Sequence, residues 1–207
     1  MAQYFSIHPD NPQPRLIGQA AAVLRGGGVA AYPTDSCYAL GCLPGDKAAV
    51  DRILRIRRLD PGHHLTLLCR DLSEIGVIAR VDNRAFRLLK KLTPGPYTFL
   101  LKASRDVPRR LQRAASRSIG IRVPDNAITL ALLEALGEPL LSTSLILPGA
   151  EHPETEAREI ESKLGKRIDL IIEGGVMGME QTTVVDLSGD KPVVVREGKG
   201  DIAGITG

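Results

Sequence analysis

Five polar side chains stand where apolar runs of this chain end or break: Thr34 after VAAYP, Arg122 inside SIGIRVP, Ser144 closing PLLSTS, Thr182 opening TTVVD and Arg196 after PVVV. A sheet scaffold can converge such groups on a ligand at its strand ends without making its core polar. A guanidinium drawn out of water is costly unless an anion meets it. Arg122 and Arg196 therefore each require a carboxylate of this chain or an anion entering from solvent. Taken together with the hydroxyls, a small anionic ligand explains the set better than isolated ion pairs do. Ser142, Thr143 and Ser144 have no base near them in sequence, so they suit hydroxyl donors to a ligand and not a nucleophile.

Other familiar chemistries lack their spacing. There is no GxxxxGK[ST] loop, no GxGxxG after a strand, no GxSxG and no HExxH. His63 and His64 are adjacent and cannot stack on one helix face as metal-binding histidines four apart do, so a loop contact suits them. Cys37, Cys42 and Cys69 form no CxxC and no Cys/His ligand set, which points to reduced thiols and a cytoplasmic protein. No metal ligands are assigned from the sequence.

The elements that must carry these groups alternate between short Val/Ile/Leu runs and helical patterns. Leu16, Ala20, Val23 and Leu24 mark a helix that Gly26 to Gly28 stop, followed by a strand over 29–32. Asp46 opens a helix with Val50, Ile53, Leu54 and Arg57 at helical spacing, and 65–69 is a strand. Asp82 caps a helix that buries Phe86 and Leu89. TPGPYT turns into a strand over 98–101, and another follows over 119–123. A strongly amphipathic helix over 127–136 closes at Gly137 and leads to a strand over 140–145; a helix over 154–164 is acidic at its start. Strands over 169–172, 183–187 and 193–196 complete the chain, the last two joined by an SGDK hairpin. Helices and hairpins together predict an α/β fold of the α+β type, three layers deep, with a twisted mixed sheet flanked by helices.

The chain has 207 residues, 43% hydrophobic and 25% charged, values that exclude disorder, collagen and coiled coil and fit one domain over 1–207. No apolar run reaches the roughly 20 residues of a membrane span, and MAQYFSIHPD has no signal-peptide pattern, so no membrane partner is expected. Net charge is only +3, yet residues 80–122 hold twelve Lys/Arg against two acids and residues 123–207 hold seven against fifteen. The basic excess is mostly arginine, suited to phosphate or carboxylate. It predicts either an anionic partner or a solvated helix face, with Arg80, Arg84, Arg87, Lys90 and Lys91 pairing with the acidic half.

The strings PTDSCYALG (33–41), PGPYTFLLK (94–102), GIRVP (120–124), PLLSTS (139–144), TTVVD (182–186) and VVREG (194–198) occur in that order. Together they resemble the YrdC/YciO family over almost the whole chain. IHPDNPQPRLI, HLTLLCRDL and STSLILPG are most similar to its YciO branch. The resemblance implies a large twisted mixed sheet around a positively charged concavity. It also implies an enzyme joining threonine, bicarbonate and ATP into threonylcarbamoyl-adenylate and pyrophosphate, for a tRNA adenosine modification, with Mg2+ accompanying the ATP. By motif position, Arg122 takes the threonine carboxylate, and Thr34, Ser36, Ser142 and Thr182 line the amino-acid pocket. Ser144 and Arg196 contact the nucleotide, Ser118 helps through its backbone, and Arg57 replaces the family's nucleotide-binding lysine, with His63 nearby.

Two positions depart from the synthase pattern. In RIRRLDPGHH, Leu59 stands where the synthases carry the arginine of K-x-R, leaving Arg58 or His63 to turn inward; in place of S-A-N, the chain has Ser144, Leu145 and Ile146. Each lost charge-assisted contact costs about 1.5 to 3 kcal/mol, roughly one to two powers of ten in binding, so a slow synthase is expected. The alternative is a non-catalytic protein that binds tRNA or double-stranded RNA through the basic concavity. With 3% aromatics and no tryptophan, it would read the phosphate backbone, not stack on bases.

Overall fold

The computed structural model describes residues 1–60, 63–105, 107–113 and 116–205. Strands β1 (Gln3–Ser6), β2 (Ala30–Tyr32) and β3 (Ala39–Cys42) frame helix α1 (Pro14–Arg25), and α2 (Lys47–Arg57) leads to β4 (Thr66–Leu68). Then come α3 (Leu72–Ile78), β5 (Ala79–Arg80), α4 (Asn83–Leu92), β6 (Tyr97–Ala103) and β7 (Ser118–Arg122). The chain ends with α5 (Ala127–Leu136), β8 (Leu140–Ser144), α6 (Ala157–Leu164), β9 (Leu170–Glu173), β10 (Thr183–Asp186) and β11 (Val193–Arg196).

All these strands join one mixed sheet, ordered β1-β9-β2-β3-β8-β4-β7-β6-β10-β11 with β5 beside β6. Parallel pairs such as β4 with β7 and β6 with β10 alternate with antiparallel ones such as β6 with β7 and β3 with β8. Helices α2, α3, α4 and α6 lie on one face over Leu40, Leu67, Phe99, Ile121 and Ile171; α1 and α5 lie on the other over Ala30, Tyr32, Leu68, Leu140 and Ile172. This three-layer mixed sheet is the architecture the alternating pattern predicts.

Only part of the second face is covered. Strand residues two apart share a face, so Leu140 under α5 continues into Ser142 and Ser144, and Leu68 pairs with Arg122, which lies two residues along from Gly120. Where α1 and α5 stop, the same face turns from aliphatic to hydroxyl and guanidinium. Small residues make it concave: a Cβ on Gly41 would fall 2.8 Å from the Tyr32 ring. Helix α5 is tied to this region, because Asn126 caps it through the Thr129 N–H and the Thr129 hydroxyl donates to the Pro33 carbonyl at 2.6 Å.

Several expectations need correction. Phe86 is 48% exposed, because the buried stripe of α4 runs through Ala85 and Leu89 and Phe86 lies one residue further round the helix. Helix α6 starts at Ala157 and not at 154, since buried Glu154 accepts from Lys163 at 2.7 Å instead of joining the helix. Helix α5 is weakly amphipathic: it packs on both the sheet and α1, and only Ala127 and Glu134 are exposed. Strands β1 and β3 and helix α3 have no counterpart in the sequence reading. Among the described residues, no cation of 80–117 pairs with an acid, so the basic segment is not neutralised by the acidic half. No helix among the described residues is long and apolar enough to cross a membrane.

Candidate functional site

On the uncovered part of the sheet lies a hollow of about 320 Å³, lined by Arg57, Arg113, Arg122 and Arg196 and by no carboxylate among the described residues. Thr66, Thr98, Gly120, Ser142 and Thr182 form its floor from five strands or strand approaches, and His63, His64 and Ile146 stand at its side.

Arg122 ends β7 and is 6% exposed. Its Nη2 donates to the Asp35 carboxylate and approaches the Thr34 hydroxyl at 3.4 Å. Of the two counter-anions the sequence left open for Arg122, the chain supplies one. The pairing is incomplete, because Arg122 Nε and Asp35 Oδ2 are both buried without a partner. Thr34 and Ser36 do not line the hollow. They sit behind Arg122, where the Thr34 hydroxyl donates to the Cys37 carbonyl at 2.7 Å and lies 3.1 Å from the Ser36 hydroxyl. Their position holds the turn that aims Asp35 at Arg122.

Arg196 meets no carboxylate among the described residues. Its Nη2 donates to the Thr182 carbonyl at 2.9 Å, and its Nη1 to Gln181 Oε1 at 2.8 Å. Burial lowers its pKa, as it does that of Arg57. Arg57, the last residue of α2, donates from Nη1 to the Ile146 carbonyl, and its Nε is buried without a partner. Four guanidiniums, counting that of Arg113, thus line one hollow that no carboxylate lines among the described residues, and that is the electrostatic signature of an anion site.

The hydroxyls are individually fixed. Tyr32 donates to Ser142 at 2.7 Å, and burial pushes the Tyr32 phenol far above its ordinary pKa, so it stays a donor. Thr182 and Thr98 share a hydrogen bond of 2.8 Å. Ser144 is half-buried and lines the hollow. Ser118 is not brought to the site: it lies four residues before Arg122, about 13 Å along the strand, with its hydroxyl 2.6 Å from that of Ser116. Its carbonyl accepts from the Arg113 N–H at 2.7 Å, which anchors Arg113.

The departures at 59 and 146 separate cleanly. Leu59 packs against the aliphatic core, and Arg58, left-handed at the end of α2 with φ 50°, shares an outer hollow with it, so neither turns inward. His63 does line the site; burial first, then Arg57, His64 and Arg113, lower its pKa. Ile146 presents hydrocarbon beside the carbonyl that holds Arg57. The sequence reading missed Asp35 and Arg113. Asp35 lies inside the quoted string PTDSCYALG, while Arg113 is one of many cations in its segment.

The donor set does not fit a magnesium ion held by the protein. Mg2+ takes hard oxygen ligands, usually at least one carboxylate, and among the described residues no group of three His, Cys, Asp or Glu converges. Chemically, the hollow can neutralise and orient anions, and no hydroxyl in it is hydrogen-bonded to a histidine or a carboxylate.

Comparison with known proteins finds relatives over most of the chain. The Sua5/YciO/YrdC family model, described as "Telomere recombination", matches residues 22–198. The Escherichia coli K12 protein YciO is 60% identical over 202 residues, 98% of each chain, and the crystal structure of E. coli YciO matches with a TM-score of 0.95 over 99% of this chain and 100% of that one. A threonylcarbamoyl-AMP synthase of Chromobacterium violaceum is 40% identical over 148 residues, 71% of this chain and 76% of the relative. The structure of P. abyssi Sua5 complexed with L-threonine is 28% identical with a TM-score of 0.86, covering 95% of this chain and 58% of that one.

Proposed function

We propose, from the premise that the chain belongs to the Sua5/YciO/YrdC family, that it forms an acyl-adenylate of the threonylcarbamoyl type from threonine, bicarbonate and ATP, and does so slowly. The observation that carries this reading is the convergence of Arg57, Arg122 and Arg196 on one hollow that no carboxylate lines among the described residues.

Arg122 takes the threonine carboxylate at the guanidinium edge not turned to Asp35, with Ser142 and Thr182 beside it. Arg57, Arg196 and Ser144 hold the nucleotide phosphates, and His63 closes the side. The neutral threonine amine attacks the bicarbonate carbon and water leaves, giving N-carboxythreonine; a carbamate oxygen then attacks the α-phosphorus, the new O–P bond forms as the bond to the β-phosphate oxygen breaks, and pyrophosphate leaves with the electron pair. No group of the protein needs to form a covalent bond. The residues align the reactants and spread charge, which supplies the rate through orientation and electrostatic stabilisation. Magnesium enters bound to ATP, not to the protein.

The test is threonine- and bicarbonate-dependent release of pyrophosphate from ATP by the purified protein. Release no greater than that of an Arg122→Ala, Arg196→Ala double variant overturns the reading. One observation favours a second reading, binding of tRNA or duplex RNA: the cations of 80–117 have no acidic partner among the described residues. Such binding is driven by phosphate neutralisation and must weaken steeply with salt; binding that ignores salt excludes it.

A further inference from the structure

The site just described is too small for its proposed substrates. About 320 Å³ lies near the lower end of the roughly 300 to 1,000 Å³ typical of small-molecule hollows. A nucleoside triphosphate together with an amino acid overflows it, and the overflow must go somewhere that tolerates dense negative charge. A second hollow, of about 760 Å³, shares one lining residue with the first, Arg113.

This second hollow is lined by Arg80, Lys102, Arg105, Arg109, Arg113 and Arg117, and by no carboxylate among the described residues. None of these six cations has an ion-pair partner among the described residues. Six like charges round one concavity repel each other and raise its potential, which an entering anion relieves. A second, independent sign of a ligand is the Ser104 hydroxyl, which lines the same hollow and is buried without a hydrogen-bond partner among the described residues. A buried hydroxyl is ordinarily satisfied.

We propose that the second hollow is an oligophosphate site, with Arg113 as the bridge that hands the β- and γ-phosphates of ATP, and then pyrophosphate, from one hollow to the other. Arg113 thereby supplies the cation that position 59 no longer provides. The role as ATP-tail and product site rests on the adenylate reading; binding of a short oligophosphate does not. The hollow, about 760 Å³, admits a short flexible polyphosphate whole, whereas a duplex is too wide to enter and could only lie across its mouth.

Calorimetric titration with inorganic pyrophosphate and tripolyphosphate, no nucleoside present, tests the site. Binding is expected, weakened about tenfold or more in Lys102→Ala/Arg109→Ala and in Arg113→Ala, while AMP binding is unchanged in the double variant. All three substituted side chains are exposed, and unchanged melting temperatures confirm folding. Pyrophosphate binding that is absent, or indifferent to these substitutions, overturns the proposal, even if ATP and threonine still react. Duplex RNA that binds through the same cations while neither oligophosphate does also overturns it. Sensitive pyrophosphate binding without threonine-dependent turnover keeps the site and sinks the adenylate reading instead.

Discussion

Arg122 and Asp35 are joined across 87 residues by an ion pair whose two side chains are 8% and 10% exposed, yet each keeps one buried polar atom unsatisfied, Nε on the arginine and Oδ2 on the aspartate. The pair is therefore less than a fully bidentate salt bridge: Asp35 neutralises Arg122 through one oxygen, and under the adenylate reading a ligand carboxylate would meet the guanidinium from the hollow.

That geometry gives the Asp35→Asn variant a distinctive signature. Breaking a buried pair from one side costs about 3 to 5 kcal/mol, because the other charge stays behind unpaired. The variant should unfold at lower urea than the parent, and added threonine should raise its midpoint more than the parent's, since the ligand carboxylate replaces the lost charge. In Asp35→Asn/Arg122→Ala the threonine effect should vanish. Equal threonine shifts in all three proteins would remove Arg122 from the amino-acid site.

Stability should fall in alkali as buried thiols and phenols are forced to ionise. Burial pushes the Cys42 thiol up from 9.0 to about 12, with nearby Asp46 adding to the rise, and burial pushes the Tyr38 phenol up from 10.0 to about 12. Both groups hold their proton more tightly folded than unfolded. Their contribution is complete below pH 9 and 10 respectively and is lost as pH rises toward 12, each group giving up about 1.4 kcal/mol for every pH unit climbed in that window. Urea midpoints measured from pH 8 to 11 should decline, and the decline should be shallower in Cys42→Ala. Parallel slopes would mean that Cys42 ionises as readily folded as unfolded.

Much of this architecture was legible because its signals are local. Asp46, Asp82 and Gly137 bound their helices as the sequence requires, and the bounds of α5 and β11 coincide with those read from pattern. Strand β3, Ala39–Cys42, is buried at every residue, so it has no alternation to show. Helix α3 is seven residues long, too short for a periodic stripe, and its cap Asp71 is visible only once the Ser73 and Glu74 N–H groups are seen to meet it. The site divides the same way. Arginines breaking apolar strands stand out in a sequence. Asp35 does not, because what makes it matter is a partner 87 residues away; Arg113 does not, because eleven other cations share its stretch.

At the side of the hollow, His63 is held neutral near pH 7, its pKa lowered by burial first and by Arg57, His64 and Arg113 after it. In the protein without ligand, this favours the folded state fully above the ordinary histidine pKa of about 6.5, and the benefit is lost as pH falls through the lowered value. An entering phosphate reverses the electrostatics and draws a proton onto the ring. ATP binding near pH 6 should therefore take up protons, seen as a dependence of the calorimetric enthalpy on the ionisation enthalpy of the buffer. His63→Gln should lessen the uptake. Identical uptake in the variant would place the proton elsewhere.

The two departures from the synthase pattern make opposite predictions when reversed. Ile146 lines the hollow beside the carbonyl that anchors Arg57, so Ile146→Asn puts an amide donor where the adenylate reading places the phosphates. A hydrogen bond to a charged partner contributes about 1.5 to 3 kcal/mol, and turnover or ATP affinity should rise by roughly tenfold or more. Leu59 packs on the core and opens to the outer hollow shared with Arg58, so Leu59→Arg points its charge away from the substrates and loses an apolar contact. It should lower the urea midpoint and leave ATP affinity unchanged. If Leu59→Arg restored activity and Ile146→Asn did not, the end of α2 must rearrange when ATP binds, and Arg113 would lose its claim to the vacant phosphate contact.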